Sequence, residues 1–446
     1  MDTLTLDAIR DAFDSAIPAI MATSDLEGMP NVAYLSQVQY IDSRHIALSY
    51  QFFNKTRQNI LANPQARLLV VHPVTAARYC LTLRYLRTET AGALFESLKA
   101  KLAGIASHTG MSGVFRLLGA DVFCVEQIKR EAGATLPRSP ARNLLPVLRS
   151  ASVRLAACAD LDQLLTETLS CLERQLDIRH AMVFMYDAMK ERLYAVASRG
   201  YDTSGVGSEI ALGDGVIGVA ARERAPIRIG HMSAEYAYSR AIRASVRSND
   251  PAAVLATEIP LPGLTASRSQ LAVPILSGIS LHGVLFVESP QELRFNYDDE
   301  DALVLLAGQL GYIMERQKHL ADASDEPATP VTPAAQLQGP PLLVRHYAEN
   351  DSVFFGNDYL IKGVAGSILW TLLRDHVEKK RTVFTNRELR LDARICLPDL
   401  SDNLEARLLL LTRRLHERHA AIQIRKTGRG RFELQVSQPV ELVEAS

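Results

Sequence analysis

Three kinds of hydrophobic spacing follow one another along the chain. Between residues 19 and 127, apolar and β-favouring residues come in short runs: Ala19–Ala22, Asn31–Gln39, His45–Tyr50, Arg67–His72, Leu81–Thr88 and Asp121–Gln127. A short helix over Asp7–Ser15 precedes them, and Gly28-Met29-Pro30 turns the chain between the first two. A second short helix, Asn54 to Asn63, is ended by Pro64, which fixes its own φ and has no N–H to give. Six short strands with few helices predict a barrel over residues 1–131.

Helical spacing takes over at Leu144–Cys158 and Leu161–Leu176, where Leu161, Leu164, Leu165, Leu169 and Leu172 share one face. Strand-like runs return at Ala181–Tyr186, Leu193–Ser198, Glu209–Leu212, Ile227–Ile229, Ser269–Ile275 and Gly283–Glu288. Asp298 opens another helix, with Leu303, Leu305 and Leu306 expected in the core. Helices on both sides of an antiparallel sheet predict an α+β sensor-type domain over residues 144–320.

Residues 321–341 are rich in proline, alanine and acids and read as a flexible linker; Ala132–Ser139 is a softer break. Beyond the linker, over residues 342–437, the spacing becomes helical again. Val364, Ile368, Leu369, Leu372 and Leu373 form an apolar stripe on a helix that carries Trp370. Thr385 and Glu388 make a capping box for a short helix, and Asp402 with Glu405 makes another. Leu404, Leu408, Leu411 and Leu415 then recur at steps of four, three and four, while Arg407, Arg414 and Arg418 are expected on a different face, with Arg413 beside them. Ile422 and Ile424 alternate with polar residues, Lys426–Gly430 turns, and Phe432, Leu434 and Val436 alternate on the way back.

Charge changes the picture only locally. The chain carries 49 lysines and arginines against 50 acids, so any nucleic-acid surface has to be regional. Residues 404–431 supply one: eight arginines and lysines against two acids. Such a surface gains affinity for a duplex by releasing counterions. Five scattered cysteines without metal-type spacing fit a reducing cytoplasm rather than a disulfide framework. No apolar run approaches the roughly 20 residues that span a bilayer, and MDTLTLDAIRDAF lacks the features of a signal peptide. A cytoplasmic protein with no membrane segment and no metal site is expected.

In the first region, Lys55-Thr56-Arg57 places a lysine, a hydroxyl and an arginine at a helix N-terminus, where backbone N–H groups and the helix dipole favour a phosphate. The surrounding EGMPNVAYLSQVQYIDSRHIALSYQFFNKTRQNILANPQARLLVV resembles the FMN-binding split barrel of the pyridoxamine 5′-phosphate oxidase family. The resemblance implies that Lys55 and Thr56 hold a flavin phosphate and that Asn59 sits close to the phosphate helix. It also implies that Asn31, Ala33 and Leu35 lie on the strand flanking the isoalloxazine ring, and that the barrel is a homodimer with flavin at the seam. The strand NVAYLSQ lacks the phosphate-binding arginine of true pyridoxamine-phosphate oxidases, so a flavin pocket is expected rather than vitamin B6 chemistry. His45, His72 and His108 would be the ligands to examine if the cofactor were haem.

In the second region, AMVFMYD, LYAVASRGY, EIALGDGVIGVAARERAPIRI, QLAVPI, GVLFVESP and FNYDDEDALVLLAGQL resemble a GAF domain. That implies a small-molecule cavity under His231–Leu264, with Tyr236, Tyr238, Arg240 and Arg243 as lining candidates. No cysteine for bilin attachment lies between His180 and Leu320, and Glu288-Ser289 stands where cyclic-nucleotide binders have Asn-Lys. In the third region, GVAGSILWTLL, VFTNRELR, LLLLTRRLHE and IQIRKTGRGRFEL resemble the winged-helix DNA-binding domain of OmpR-type response regulators. That resemblance implies a recognition helix from Asp402 to Arg418 in the major groove, with a wing at the backbone. Arg407, Arg413, Arg414, Arg418, Lys426, Arg429 and Arg431 are its candidate DNA contacts. Leu408–Leu411 depart from the polar character usual at this helix.

The expected fold is thus multidomain: a β split barrel, an α/β GAF sensor domain and a winged helix-turn-helix. The expected function is a dimeric transcription regulator that binds double-stranded DNA and responds to a ligand or to redox state, since no receiver domain with a phosphorylatable aspartate is present. The alternative is an FMN-dependent oxidoreductase regulated by its appended domains.

Overall fold

The computed structural model describes residues 4–14, 19–35, 37–51, 54–92, 94–95, 98–99, 116–137, 142–230, 259–322, 339–395, 397, 404–418, 421–428 and 430–445. The first region opens with α1 (Leu6–Ile9) and a 3-10 turn over Arg10–Asp14. Strands β1 (Ala19–Ser24), β2 (Pro30–Leu35), β3 (Val38–Tyr40) and β4 (His45–Tyr50) follow. Helix α2 (Lys55–Ala62) then leads into β5 (Gln65–Val71), β6 (Arg78–Glu89) and β7 (Gly119–Arg130). The seven strands form one antiparallel sheet in the order β2-β1-β5-β6-β7-β4-β3. Met21, Leu68, Leu81, Leu83 and Phe123 belong to one buried apolar cluster on this sheet. The single run expected over Asn31–Gln39 is two strands, β2 and β3, at opposite edges of the sheet. β2 alternates exposed and half-buried residues, whereas β3 is half-buried throughout.

The second region contributes α3 (Leu145–Ala156), α4 (Leu161–Leu176), β8 (His180–Asp187), β9 (Arg192–Arg199) and β10 (Glu209–Ala211). It continues with α5 (Gly215–Glu223), β11 (Ile227–Ile229), β12 (Ser269–Ser277), β13 (Ser280–Ser289) and α6 (Tyr297–Asp322). Its sheet runs β10-β9-β8-β13-β12-β11. Val183, Val196, Leu271 and Leu285 pack toward α3, α4 and α6, whereas Phe184, Ala272 and Phe286 pack toward α5. Helices therefore do cover both faces. Leu303 and Leu306 are buried as expected, but Leu305 is 62% exposed. At about 100° per residue, two positions on from Leu303 is nearly the opposite side of the helix.

The third region begins with β14 (Leu342–Tyr347), β15 (Ser352–Phe355) and β16 (Asp358–Ile361). It continues through α7 (Val364–Lys379), β17 (Val383–Thr385), α8 (Asn386–Leu391) and α9 (Leu404–Glu417) to β18 (Ile422–Gly428), β19 (Arg431–Val436) and β20 (Val440–Ala445). Two sheets result, β16-β15-β14-β20 and β17-β19-β18. The Thr385–Glu388 capping box is present, with Glu388 N–H donating to Thr385 Oγ1 at 3.2 Å and Thr385 N–H to the Glu388 carboxylate at 3.0 Å. Asp402 of the second expected box lies outside the described residues. Strand β20 pairs in parallel with β14, a contact invisible in the local pattern because its partner is almost a hundred residues away. Strand β18 reaches Gly428, so the hairpin turn is tighter than Lys426–Gly430.

The second and third regions share one apolar core: Leu164, Val196 and Leu310 belong to the same cluster as Leu369, Leu410 and Leu434. The first region meets the second through Arg10, which pairs with Asp298 and, at 2.9 Å, with Asp301. Lys99 adds a pair with Glu223 at 3.3 Å. No helix among the described residues is long and apolar enough to cross a membrane.

Candidate functional site

Helix α2 starts against the edge of the barrel sheet. Asn54 caps it, its side-chain oxygen accepting from Arg57 N–H at 3.0 Å. In the next turn Thr56 Oγ1 accepts from Asn31 Nδ2 at 2.8 Å, which ties α2 to β2. One turn further, buried Asn59 donates Nδ2 to Thr23 Oγ1 at 3.1 Å, while its Oδ1 has no partner among the described residues. An unpaired buried carbonyl is costly, about 1–3 kcal/mol. Lys55 lies at the mouth, 49% exposed, with its ammonium 3.1 Å from Asp25. The Met29 N–H and Lys55 together hold the Asp25 carboxyl below the usual carboxylate range.

Lys55, Thr56, Asn59 and Asn31 are therefore brought together. Ala33 and Leu35 follow Asn31 on the half-buried face of β2, while Val32 and Tyr34 point outward, 65% and 76% exposed. Leu35 packs on the barrel core. Arg57 does not join this group. It turns away, pairs with Asp121, donates to Thr88 Oγ1 at 2.8 Å and lies over the Tyr50 ring at 4.3 Å. Burial pushes the Asp121 carboxyl above its ordinary value, against the pull of Thr88 and Arg57. The expected Lys-Thr-Arg trio is thus a Lys-Thr pair; the arginine is structural.

The chemistry that remains at α2 suits an anion: an exposed cation, a hydroxyl and the N-terminal N–H groups of a helix. The Asp25 carboxylate competes for the same cation. The histidines considered for haem do not converge. His45 pairs with Asp42 at 2.9 Å, His72 Nδ1 accepts the N–H groups of Val74 and Thr75 at 3.2 Å, and His108 lies outside the described residues. Among the described residues no cluster of three or more potential metal ligands occurs.

The basic stretch near the C-terminus is placed quite differently from the sequence expectation. Arg407 and Arg414 are each 5% exposed. Arg407 pairs with Asp187 of β8 at 2.7 Å and stacks over the Tyr194 ring at 4.3 Å. Arg413 donates to Val196 O and to Asp162 of α4, both at 2.6 Å. Arg414 is held within its own region by Leu360 O at 3.1 Å and Glu417 at 2.9 Å, and burial pushes its pKa down. Lys426 reaches Asp160 at 3.2 Å. Arg418 is exposed and Arg431 is half-buried at the hairpin turn; Arg429 lies outside the described residues. Arg425, which the sequence reading did not single out, is exposed on β18.

The physical reason is that α9 is covered on two sides. Leu404, Leu408, Leu411 and Leu415 face α7 and the hairpin. Ala406, Arg407, Leu410 and Arg413 face the second region, so that face is not a free basic surface. This also accounts for the Leu408–Leu411 departure: a helix buried on two faces needs apolar residues around most of its circumference. Beside it remains an open cleft of about 560 Å³ between α4, α9 and the hairpin, lined by Leu161, Leu409, Thr412, His416 and Phe432 among others.

In the second region Tyr236, Tyr238, Arg240 and Arg243 fall outside the described residues. At the border of that segment, buried Glu288 accepts from Leu264 N–H at 3.0 Å and from Gln270 Nε2 at 3.3 Å.

Comparison with known proteins fits this division. A pyridoxamine 5′-phosphate oxidase family model matches residues 5–111, and a GAF domain model matches residues 158–315. The chain carries a pyridoxamine-phosphate-oxidase-like barrel followed by a GAF domain. Similar solved structures include the GAF domain of an Acinetobacter phosphoenolpyruvate-protein phosphotransferase, at 20% identity over 41% of this chain and 96% of that one, TM-score 0.32. An FMN-binding protein from Syntrophomonas wolfei is similar at 18% identity over 30% of this chain and 88% of that one, TM-score 0.25. Free methionine-R-sulfoxide reductase from Neisseria meningitidis, in complex with its substrate, is similar at 19% identity over 42% and 98%, TM-score 0.31. No curated protein matches the chain.

Proposed function

We propose that the chain is a flavin-binding sensor whose C-terminal region, a winged helix, binds double-stranded DNA under the control of the two regions before it. The observation that carries this reading is the shared core. The GAF domain and the C-terminal region bury their apolar side chains in one cluster, and they meet through α9, the helix such a fold would place in the major groove. A change of state in the sensor region therefore acts on the output helix without an intermediary. The order α7, β17, α8, α9 and the β18–β19 hairpin supports the winged-helix assignment.

In the barrel, Lys55 and Thr56 would hold a flavin phosphate at the start of α2, with Asn59 behind it and Asn31, Ala33 and Leu35 on the strand beside it. The Thr56 hydroxyl, which accepts from Asn31 and keeps its own hydrogen to donate, and the ammonium at the site mouth fit that group. The flavin would supply reversible redox chemistry; the protein's part is to bind the phosphate and, through Asp25, to keep Lys55 at the mouth until the phosphate takes over that ion pair. A small effector in the GAF domain and a homodimer complete the proposal.

The test is a visible absorption spectrum of the purified protein, with chromatography of any released cofactor, followed by duplex binding at several salt concentrations. FMN in the protein and salt-dependent duplex binding are the expected results. Lys55→Ala should lower flavin retention by about tenfold, the scale of one charge-assisted hydrogen bond. Protein that is colourless and takes up no added FMN would remove the flavin part. NAD(P)H turnover without duplex binding would favour a flavin-dependent oxidoreductase.

A further inference from the structure

The GAF domain presents three carboxylates to α9 and its hairpin, each on a different cation. Asp187 takes Arg407 at 2.7 Å, Asp162 takes Arg413 at 2.6 Å and Asp160 takes Lys426 at 3.2 Å. These three cations belong to the set that a duplex would engage in the proposed function, on which this inference rests. We infer that the GAF domain occludes the DNA surface of the C-terminal region by occupying its phosphate-binding cations with Asp160, Asp162 and Asp187, and that DNA binding requires this contact to open.

The contact is built rather than incidental. Asp160 is the N-cap of α4, accepting Gln163 N–H at 3.0 Å, and Asp162 lies in the first turn of the same helix. The cap thus fixes the Asp160 carboxylate, and both carboxylates lie at a helix start that favours negative charge. Asp187 is held by the N–H groups of Met189 and Lys190 at 3.1 and 3.2 Å. The apolar part of the face is equally shaped. Gly207, at φ +90°, lies under α9, and a Cβ there would meet Leu410 and Arg414 at 3.7 and 3.6 Å besides colliding with Ile259 at 2.7 Å. The contacts with α9 are of ordinary van der Waals length, and the positive φ is what favours glycine at this turn. Arg413 lies across α9 from the row of leucines that seats the helix in its own region. The residue best aimed at an external partner is therefore the one the GAF domain holds.

The pairs differ in strength. Arg407 and Asp187 are each 6% exposed, and breaking a buried pair is expensive. Asp162 is 60% exposed and Asp160 24% exposed, so their pairs are weak and salt-sensitive. The two outer pairs are the ones a variant can open while the fold survives.

The experiment compares the full-length chain with Asp160→Asn/Asp162→Lys. Asparagine still caps α4, and lysine repels Arg413. Two readouts are taken: binding of a labelled mixed-sequence duplex, and amide hydrogen exchange over residues 404–417. The expected result is roughly tenfold tighter duplex binding, from loss of one exposed pair and reversal of another, together with faster exchange in α9. The swapped variant Asp162→Arg/Arg413→Asp should return exchange to the wild-type rate. Equal duplex affinity in wild type and variant, or unchanged exchange in α9, would overturn the occlusion while leaving the DNA reading in place. Faster exchange in α9 with no duplex binding by either protein would overturn the DNA reading itself, and this inference with it.

Discussion

The start of α2 and the face of α9 are both basic in sequence, yet they meet opposite fates in the fold. At α2 the cation stays at the surface: Lys55 is half exposed and its ion-pair partner, Asp25, lies at the rim. At α9 the cations turn inward, and Arg407 and Arg414 are almost fully buried. A surface cation beside a helix start can exchange its partner for a ligand at little cost. A buried arginine cannot, because removing its carboxylate leaves an uncompensated charge in a medium of low polarity. The first is an open site; the second is a fastener, and an open site only after the fastener is released.

The largest expected effect lies at the fastener. Asp187→Ala should destabilise the protein by about 3–5 kcal/mol, because Arg407 is left buried without its anion; urea unfolding measures this. A loss below about 1 kcal/mol would show Arg407 to be accessible to water after all, and the comparison with Lys55 would collapse.

A smaller effect concerns pH. In the C-terminal region, the Arg394 hydrogen bonds, followed by that of Lys379, hold the Asp375 carboxyl below the usual carboxylate range. The native state therefore binds this proton less readily than the unfolded chain. The contribution is fully present above about pH 4 and is lost as pH falls through the lowered value. In the barrel, burial shifts Asp121 the other way, so its protonation favours the native state as pH falls. Replacing Asp375 with asparagine should lower stability by roughly 1.5–3 kcal/mol at neutral pH, the scale of hydrogen bonds to a charged group. It should also flatten the acid limb of a stability–pH curve. An unchanged acid limb would mean that these arginine contacts are not formed in solution.

The smallest effect is at the open site. Lys55→Ala should change the stability of the cofactor-free protein by no more than about 0.5 kcal/mol, as for exposed residues in general. A larger loss would make Lys55 another fastener, and its pairing with Asp25 a structural one.

Much of the fold was legible in the chain. Ile227–Ile229 and Leu161–Leu176 fall where their periodicity put them, because a buried helix stripe and a buried strand impose spacings that survive any tertiary arrangement. The Thr385–Glu388 cap was legible for the same reason: all its partners lie within four residues. Of the site at α2, the Lys55–Thr56 pair and the Asn54 cap are local and could be read. That Arg57 leaves for Asp121, 64 residues away, could not.

What the sequence determined by itself, then, is everything set by neighbours along the chain: the elements, their caps, the turn to glycine or proline, and the local excess of charge in residues 404–431. Tertiary structure alone decided which way that charge points. Arginine tolerates both water and the interior, provided a carboxylate comes with it. The carboxylates that draw Arg407 and Arg413 inward, Asp187 and Asp162, belong to another region. Periodicity tells which residues share a face; it carries no information about what packs against that face.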